Sequence, residues 1–296
     1  MTVSDHLAEQ GRTDLPSRIL TRKRYGNAVA GVIVALLVAL LLTSAFTNDN
    51  FSWPAFGHYL FSPAILAGLG RTVELAVIAM ALSIVVGVVL AILRQSSSKV
   101  LNAVSGAYIW VFRATPLLVL LLLLYNFAAL YPRLSLGVPL GPDLFSVETN
   151  SVITVAGAAI IGLTLHEAAY CAEIFRAGLI SVEHGQREAA EALGMSSRLS
   201  LRRIVLPQAM RAIVPPLTNQ FVNVVKTTSI VSVISMPELL YSAQIIYART
   251  YETIPLLLVV TFWYLVLTAV LTVGQHYVER HFNRGRQGVP ALKERR

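Results

Sequence analysis

Long apolar stretches with few or no charged side chains constrain this chain more than any other feature of its sequence. A bilayer core takes about 20 consecutive apolar residues in helical form, and residues 25–47 contain no charge at all. Only 14% of the residues are charged, against roughly 25% in soluble domains, which argues against a soluble fold and excludes disorder. The sequence therefore predicts an all-α polytopic membrane protein with six transmembrane helices. They cover residues 25–47, 72–93, 107–130, 152–172, 210–234 and 254–278.

The first apolar segment has two interpretations. Basic residues at 22–24 precede it and small residues at 43–45 end it, as in a cleaved signal peptide. Its apolar run over 28–46 is longer than the roughly 7–15 residues of a signal peptide. The length favours a retained membrane anchor, and the other five helices keep their orientation in either case.

The basic residues of the chain indicate its orientation in the membrane. There are 24 Lys and Arg against 16 Asp and Glu, an excess that by itself could suggest nucleic-acid binding. Of the 24, however, 19 fall in segments on one side of the predicted helices, namely residues 1–24, 94–106, 173–211 and 279–296. Because Lys and Arg mark cytoplasmic segments, both termini are expected in the cytoplasm, with membrane lipid and not nucleic acid around the chain. The predicted parts are a basic arm, an N-terminal helix, a transmembrane domain and a basic tail, at 1–24, 25–47, 70–278 and 279–296.

A long polar loop over residues 181–207 separates the fourth and fifth predicted helices. Residues 188–193 are strong helix formers, and Gly194 suits the left-handed position that ends a helix. Ser196 or its neighbour can cap a second helix that stops before Pro207. The loop is therefore predicted to form a short helix, a turn and a second helix, although an ordinary solvated connection would have a similar composition.

The same loop resembles the EAA loop of ABC importer permeases. The matching residues are Glu188, Ala189 and Ala190, followed by Gly194 and, at the end of the pattern, Pro207. In that family the loop is the coupling helix that docks on a separate ATPase subunit. The resemblance thus implies that these five residues couple the chain to an ATPase.

The resemblance extends over about residues 70–277 and is to the polar amino acid branch of the family. The segments 112–118, 164–176, 226–229 and 237–239 match its motifs, whereas Leu120 stands where relatives commonly carry Gln. It implies a MetI-like five-helix core, to which the N-terminal helix adds a sixth. It further implies a bacterial cytoplasmic membrane location, alternating access, and three kinds of partner: ATPase subunits, a second permease subunit that is identical or related, and an extracytoplasmic amino acid-binding protein.

Arg113 is the first of two cations predicted at membrane depth. Ionisable groups in the membrane interior are costly, so each is a candidate functional residue. Arg113 lies about six residues into the third predicted helix, roughly 9 Å at 1.5 Å per residue, and Pro116 opens the helix locally. Its guanidinium could bind an anion in bidentate fashion. It could equally reach the membrane surface or pair with an acid.

Lys226 is the second cation and lies deeper in its predicted helix. The hydroxyl-bearing residues Thr227 and Ser229 come directly after it and could donate to a carboxylate. A ligand role is favoured over a structural ion pair. The resemblance to the family implies that Lys226 holds the α-carboxylate of the substrate.

Helix four carries a stripe of polar residues. His166, Tyr170 and Glu173 recur at helical spacing, so they share one face. The stripe could line a cavity or pack against another helix. Glu173 could bind an α-ammonium or a cationic side chain, or it could pair with Arg176, three residues further along the same face.

The remaining residues of interest point away from catalysis. No Gly-Lys dipeptide occurs, so the chain has no P-loop, and the His residues show no metal-ligand spacing. We therefore expect no cofactor, no metal and no enzymatic activity of its own. Glu74 is interpreted as a gate or interface acid and Cys171 as a packing residue.

Two other functions compete with that of an importer permease. An ion-coupled secondary amino acid transporter could use Glu74, Glu173 or His166 as its coupling group, but the halves of the chain show no clear inverted repeat. A receptor or scaffold that transports nothing is the other. The secondary transporter also assigns no role to the helices predicted over residues 188–207.

Overall fold

The structure is a computed structural model that describes residues 25–137 and 143–283. The predicted basic arm lies outside the described residues, as does the predicted tail beyond residue 283. The chain divides into two compact units, of which the first ends at Phe51 and the second begins at Ser52. In the first unit, helix α1 (Tyr25–Thr47) is followed by a 3₁₀ turn at Asp49–Phe51.

The second unit is a helical domain with one small β-hairpin. Its helices are α2 (Trp53–Leu60), α3 (Pro63–Arg94), α4 (Lys99–Ala114), α5 (Leu117–Tyr125), α6 (Phe127–Leu130), α7 (Thr149–Val152), α8 (Val155–Ile180), α9 (His184–Ala192), α10 (Ser197–Ser200), α11 (Leu206–Thr227), α12 (Leu239–Thr250) and α13 (Thr253–Asn283). A π-helical turn (Leu201–Val205) joins α10 to α11, and a 3₁₀ segment (Thr228–Ile234) follows α11.

The described helices confirm the prediction of an all-α polytopic membrane protein. Four of them are long and apolar enough to cross a membrane: Val29–Thr47, Pro63–Arg94, Val155–Ile180 and Thr253–Phe282. Two further helix pairs meet the same test when each is taken as one bent span, which brings the candidates to six. The bends are 100° between α4 and α5, and 43° between the helical stretch 197–234 and α12.

The third predicted helix, over 107–130, is broken instead of continuous. Thr115 and Pro116 are extended, with ψ angles of 126° and 130°, because a residue before proline is disfavoured in the α region. The break leaves Arg113 in the last turn of α4. A cation is favourable at this end of a helix, where the backbone dipole is negative.

The β-hairpin and the helices α2 and α12 of the second unit were not predicted from the sequence. Strands β1 (Arg133–Gly137) and β2 (Asp143–Glu148) pair antiparallel between α6 and α7. The base of this hairpin is closed by hydrogen bonds from the Thr149 amide to the Pro132 carbonyl, 3.0 Å, and from the Thr149 hydroxyl to the Tyr131 carbonyl. Helix α12 was not predicted because its polar residues interrupt any apolar run.

The core is built around the crossing of α3 and α8, which make the most extensive helix–helix contact among the described elements. Gly87 on α3 lies so close to α8 that an added Cβ would stand 2.6 Å from the Cβ of Cys171. Small residues allow such close approach of two helices. Large apolar side chains fill the neighbouring space, among them the buried Leu75, Leu121, Leu163 and Val231.

A buried carboxylate joins three of the helices. Glu238 is completely buried and caps α12, since its Oε1 accepts a hydrogen bond of 2.8 Å from the Tyr241 amide. Its Oε2 accepts hydrogen bonds from the hydroxyls of Tyr264 on α13, 3.0 Å, and Thr72 on α3, 3.4 Å. A buried charge needs such partners, so α3, α12 and α13 are held together at this point.

Candidate functional site

Two adjacent cavities flank the polar stripe of α8. Each has a volume of about 610 Å³, and both are lined by Arg113, Tyr170 and Glu173. The cavity between α3, α4 and α8, here called the α4 cavity, is further lined by residues that include Arg94, Trp110 and Arg176. The cavity between α8 and α11, here called the α11 cavity, is further lined by residues that include Pro216, Asn219 and Gln220.

Arg113 offers an unpaired cation at the junction of the two cavities. Its guanidinium carbon lies 5.4 Å from the centre of the Tyr170 ring, close enough for a cation–π interaction. It makes no hydrogen bond or ion pair with any residue that the structure describes. Its planar donors therefore remain available for a carboxylate, which they can hold in bidentate fashion.

Glu173 is engaged by its own helix. Arg176 donates to it through Nε, at 3.2 Å from each carboxylate oxygen, and through Nη2, at 2.7 Å from Oε2. The intrahelical pair that the spacing allowed is therefore present. Any ligand cation that uses Glu173 would have to compete with Arg176.

His166, the remaining residue of the stripe, contacts protein side chains and not the cavities. The His166 ring packs on the Tyr170 ring with 5.2 Å between their centres, but His166 lines neither cavity. Its Nδ1 lies 3.2 Å from Oε1 of Glu167, and Gln220 of α11 donates to Oε2 of the same carboxylate at 2.5 Å. Sequence reasoning assigned no role to Glu167, although an acid within an apolar stretch is itself a functional signal.

Lys226 lies apart from this group. It follows Gln220 by six residues on α11, which is about 9 Å along the helix axis, and it lines neither cavity. Its side chain is exposed. The hydroxyls of Thr227 and Ser229 donate to the carbonyls of Asn223, 2.9 Å, and Lys226, 2.8 Å. The substrate role of these three residues stays a prediction.

The charge balance is positive in the α4 cavity, whereas the α11 cavity is lined by one guanidinium and one carboxylate. The α4 cavity has three guanidinium groups, of Arg94, Arg113 and Arg176, against the one carboxylate of Glu173. Arg94 donates a hydrogen bond to Asn102 and Arg176 to Glu173, so Arg113 is the guanidinium of this cavity that is left for a ligand.

The other two residues singled out in the sequence lie outside the cavities. Glu74 is exposed on α3 and lines neither cavity, and Cys171 is buried against Gly87. In the described part of the chain, no three His, Cys, Asp or Glu residues form a metal-binding group.

The polar loop between α8 and α11 has the predicted helix and glycine turn. Gly194 has a φ of +72°, a conformation that favours glycine. The amide of Gly194 donates to the Glu191 carbonyl at 2.9 Å, and that of Met195 to the Ala190 carbonyl at 3.0 Å. These two bonds form a Schellman motif that ends α9 and leaves Leu193 80% exposed.

The second helix of the loop was predicted to stop before Pro207. In the structure it continues through the π-helical turn into α11. The Ser196 side chain caps it by accepting from the Leu199 amide at 3.4 Å. Pro207 lacks an amide hydrogen, and the π-helical turn directly before it shifts the hydrogen-bond register, with the Leu206 amide donating to the Leu201 carbonyl. The loop is thereby continuous with a helix that lines the α11 cavity.

Arg187 and Gln186 fix α9 to the helices on either side of it. Arg187 donates through Nη2 to the Leu179 carbonyl of α8 at 2.8 Å. Gln208 of α11 donates to the side-chain oxygen of Gln186 at 3.4 Å. A force applied to α9 would thus reach α8 and α11, the two helices that line the α11 cavity.

Apolar helices of the second unit line the two cavities, and a polar helical loop is joined to two of them, an arrangement expected of a membrane transport component. The model of the family described as binding-protein-dependent transport system inner membrane component matches residues 83–284. The chain belongs to this family. The family is one of permeases of ABC transporters, which work with an ATPase and a binding protein.

Individual relatives agree with this assignment. The chain is 41% identical over 262 residues to the arginine transport system permease protein ArgU of Corynebacterium glutamicum, covering 88% of this chain and 81% of that protein. It is 33% identical over 238 residues to the probable glutamine ABC transporter permease protein GlnM of Bacillus subtilis, covering 80% and 96% respectively.

A solved structure shares the fold as well. A crystal structure of an amino acid ABC transporter with histidines superposes with a TM-score of 0.66 at 32% identity, covering 79% of this chain and 99% of that one. The MetNI methionine ABC transporter in an inward-facing conformation shares the fold, with a TM-score of 0.56 at 18% identity. The MetI-like fold expected from the sequence is thereby confirmed.

Proposed function

We propose that the chain is the transmembrane permease subunit of an ABC importer for polar amino acids. The observation that carries the proposal is the unpaired guanidinium of Arg113 at the junction of the two cavities. The free α-carboxylate is the group that all amino acid substrates share, and arginine is the side chain best suited to hold it. Relatives named for arginine and glutamine transport support the same substrate class.

The substrate binds as a zwitterion across the stripe of α8. Arg113 holds its α-carboxylate, while Glu173 receives its α-ammonium or a cationic side chain after exchange with Arg176. Lys226, with Thr227 and Ser229 after it in the chain, is a second candidate for holding the α-carboxylate, as the resemblance to the family implies. His166 and Tyr170 support the position at Arg113 through the contact of their two tilted rings.

Transport proceeds by alternating access, driven from α9 and α10. The chain lacks a Gly-Lys dipeptide and hence a P-loop, so partner ATPase subunits hydrolyse the ATP. They dock on the segment of α9 and α10, residues 184–200, here called the knuckle, which carries Glu188, Ala189, Ala190 and Gly194. Pro207 is the second residue of α11, to which the knuckle is joined by the π-helical turn. A second permease subunit, identical or related, completes the translocation path.

The chain is oriented with both termini and the α9–α10 knuckle in the cytoplasm. This orientation puts 19 of the 24 basic residues on the inner side. The segments at 48–69 and 131–150, which include α2 and the hairpin, then face the binding protein outside. In this orientation the basic sequences at 1–24 and 279–296 belong to the cytoplasmic side.

Uptake into proteoliposomes tests the proposal. The chain is reconstituted with its ATPase and its binding protein, and a panel of labelled amino acids is offered with and without internal ATP. ATP-dependent uptake of polar amino acids is expected. Uptake that proceeds without any ATPase and collapses with a protonophore would overturn the proposal in favour of ion-coupled secondary transport, which a family dependent on a binding protein does not favour.

A further inference from the structure

Glu167 is a buried carboxylate with no assigned role. It is 2% exposed and lies in the middle of α8, where an ionised group is costly unless it is fully hydrogen-bonded. Both of its oxygens have partners, His166 at 3.2 Å and Gln220 at 2.5 Å. It lines neither cavity, so it does not contact a ligand there.

Through His166, Glu167 is connected by side-chain contacts to the unpaired guanidinium of Arg113. Glu167 Oε1 faces His166 Nδ1, which fixes the orientation of the imidazole ring. That ring packs on Tyr170, and the Tyr170 ring lies under Arg113. Three consecutive contacts thus run from the buried carboxylate to the junction of the two cavities.

Through Gln220, Glu167 is connected to the α11 side of the α11 cavity. Gln220 belongs to α11 and lines this cavity together with Arg113 and Tyr170 of the facing side. Its side-chain amide donates to Oε2 of Glu167. The bond therefore sets where the amide of Gln220 stands and how α8 and α11 are spaced at this level.

We infer that Glu167 is a positioning residue for amino acid binding, which orients the Arg113 guanidinium through His166 and Tyr170 and holds Gln220 in the wall of the α11 cavity. The inference rests on the proposed function, because the ligand of the cavity is the amino acid substrate. It predicts that the hydrogen bonds of Glu167, and not its charge, matter for binding.

Two substitutions separate these roles. Glu167→Leu has similar volume but removes both hydrogen bonds, and it should raise the KM for uptake about tenfold while Vmax stays within about twofold of wild type. Glu167→Gln loses the charge but keeps both bonds once the Gln220 amide turns over, since the introduced side-chain amide then accepts from His166 and donates to Gln220. Its KM should stay within about twofold of wild type.

Thr72→Val is the matched control for a loss of stability alone. Thr72 is buried and bonded to the other buried carboxylate, Glu238, away from both cavities. This variant should unfold at a lower temperature but retain the wild-type KM. If Glu167→Leu does not assemble, Glu167→Asp takes its place, because the shorter side chain cannot reach both partners and should also raise KM.

Failure of the positioning role of Glu167 and failure of the proposed transport function give different results. If wild type transports amino acids but Glu167→Leu keeps a wild-type KM, or Glu167→Gln is as impaired as Glu167→Leu, the positioning role is wrong. A rise in KM for Thr72→Val that equals the rise for Glu167→Leu would also overturn it. If wild type itself takes up no amino acid, the proposed function fails instead.

Discussion

Replacing Gly87 with alanine tests how the α3–α8 crossing is held together. The added Cβ would stand 2.6 Å from the Cβ of Cys171, 3.1 Å from the Ala172 nitrogen and 3.2 Å from the Ala168 oxygen. Carbon atoms in contact ordinarily lie about 3.5–4.0 Å apart. The two helices must therefore separate by roughly 1 Å, and two of the three obstructing atoms belong to the backbone, which cannot rotate away.

The cost follows from two opposing effects. Overpacking of a core costs about 1–3 kcal/mol, whereas alanine gains about 0.5–1 kcal/mol over glycine within a helix. A contact as short as 2.6 Å puts the overpacking cost in the upper half of that range, at about 2–3 kcal/mol. The net destabilisation is then about 1–2.5 kcal/mol, which corresponds to a fall in melting temperature of roughly 2–10 °C for a domain of this size. Gly70→Ala is the matched control on the same helix, because a Cβ there has nothing within 4 Å.

The assay is the fraction of protein that remains monodisperse after heating in detergent, read by size-exclusion chromatography. Cys171 is the sole cysteine of the chain and is buried, so its labelling by a fluorogenic maleimide reports independently on the opening of this crossing. Gly87→Ala should lower the midpoint and speed the labelling, while Gly70→Ala should do neither. Equal midpoints for the two variants would refute the close-packing argument.

Three further predictions concern the knuckle and the cations. Gly194→Val forces a β-branched residue to a φ of +72° at a cost of roughly 1–2 kcal/mol, and should release the ATPase in copurification. Gly185→Val, at the other end of α9 with open space around it, is the matched control and should retain the ATPase. Arg113→Lys keeps the charge but loses the planar donors, and should raise the KM for uptake about tenfold. Lys226→Ala should abolish amino acid-dependent transport, measured by labelled uptake, with complex assembly and basal ATPase activity intact.

Each of these has an outcome that would contradict it. ATPase binding equal in the two glycine variants would mean that the Schellman turn does not shape the docking surface. An Arg113→Lys transporter with wild-type KM would show that charge alone suffices at the cavity junction. Loss of assembly on replacing Lys226 would make that residue structural.

Local features of this protein followed from the sequence because they depend on composition and short spacing. The apolar stretches gave the membrane helices, and the spacing of Glu173 and Arg176 allowed the ion pair that the structure contains. Gly194 ends α9 as predicted, since only the preference of one residue for positive φ was needed. The bend between α4 and α5 was missed, although Pro116 pointed to a local opening there.

The partners of the buried groups were decided by tertiary structure alone. Glu167 and Gln220 are 53 positions apart, and Thr72 and Glu238 are 166 apart, so no local pattern could pair them. The meeting of Arg113 and Tyr170 depends on how α4 packs on α8 and on where α4 ends. The sequence by itself thus determined that charges lie at membrane depth. Helix packing decided which of them are paired, as Glu173 is, and that Arg113 stays unpaired at the junction of the two cavities, because side chains on different helices meet only when the bundle closes.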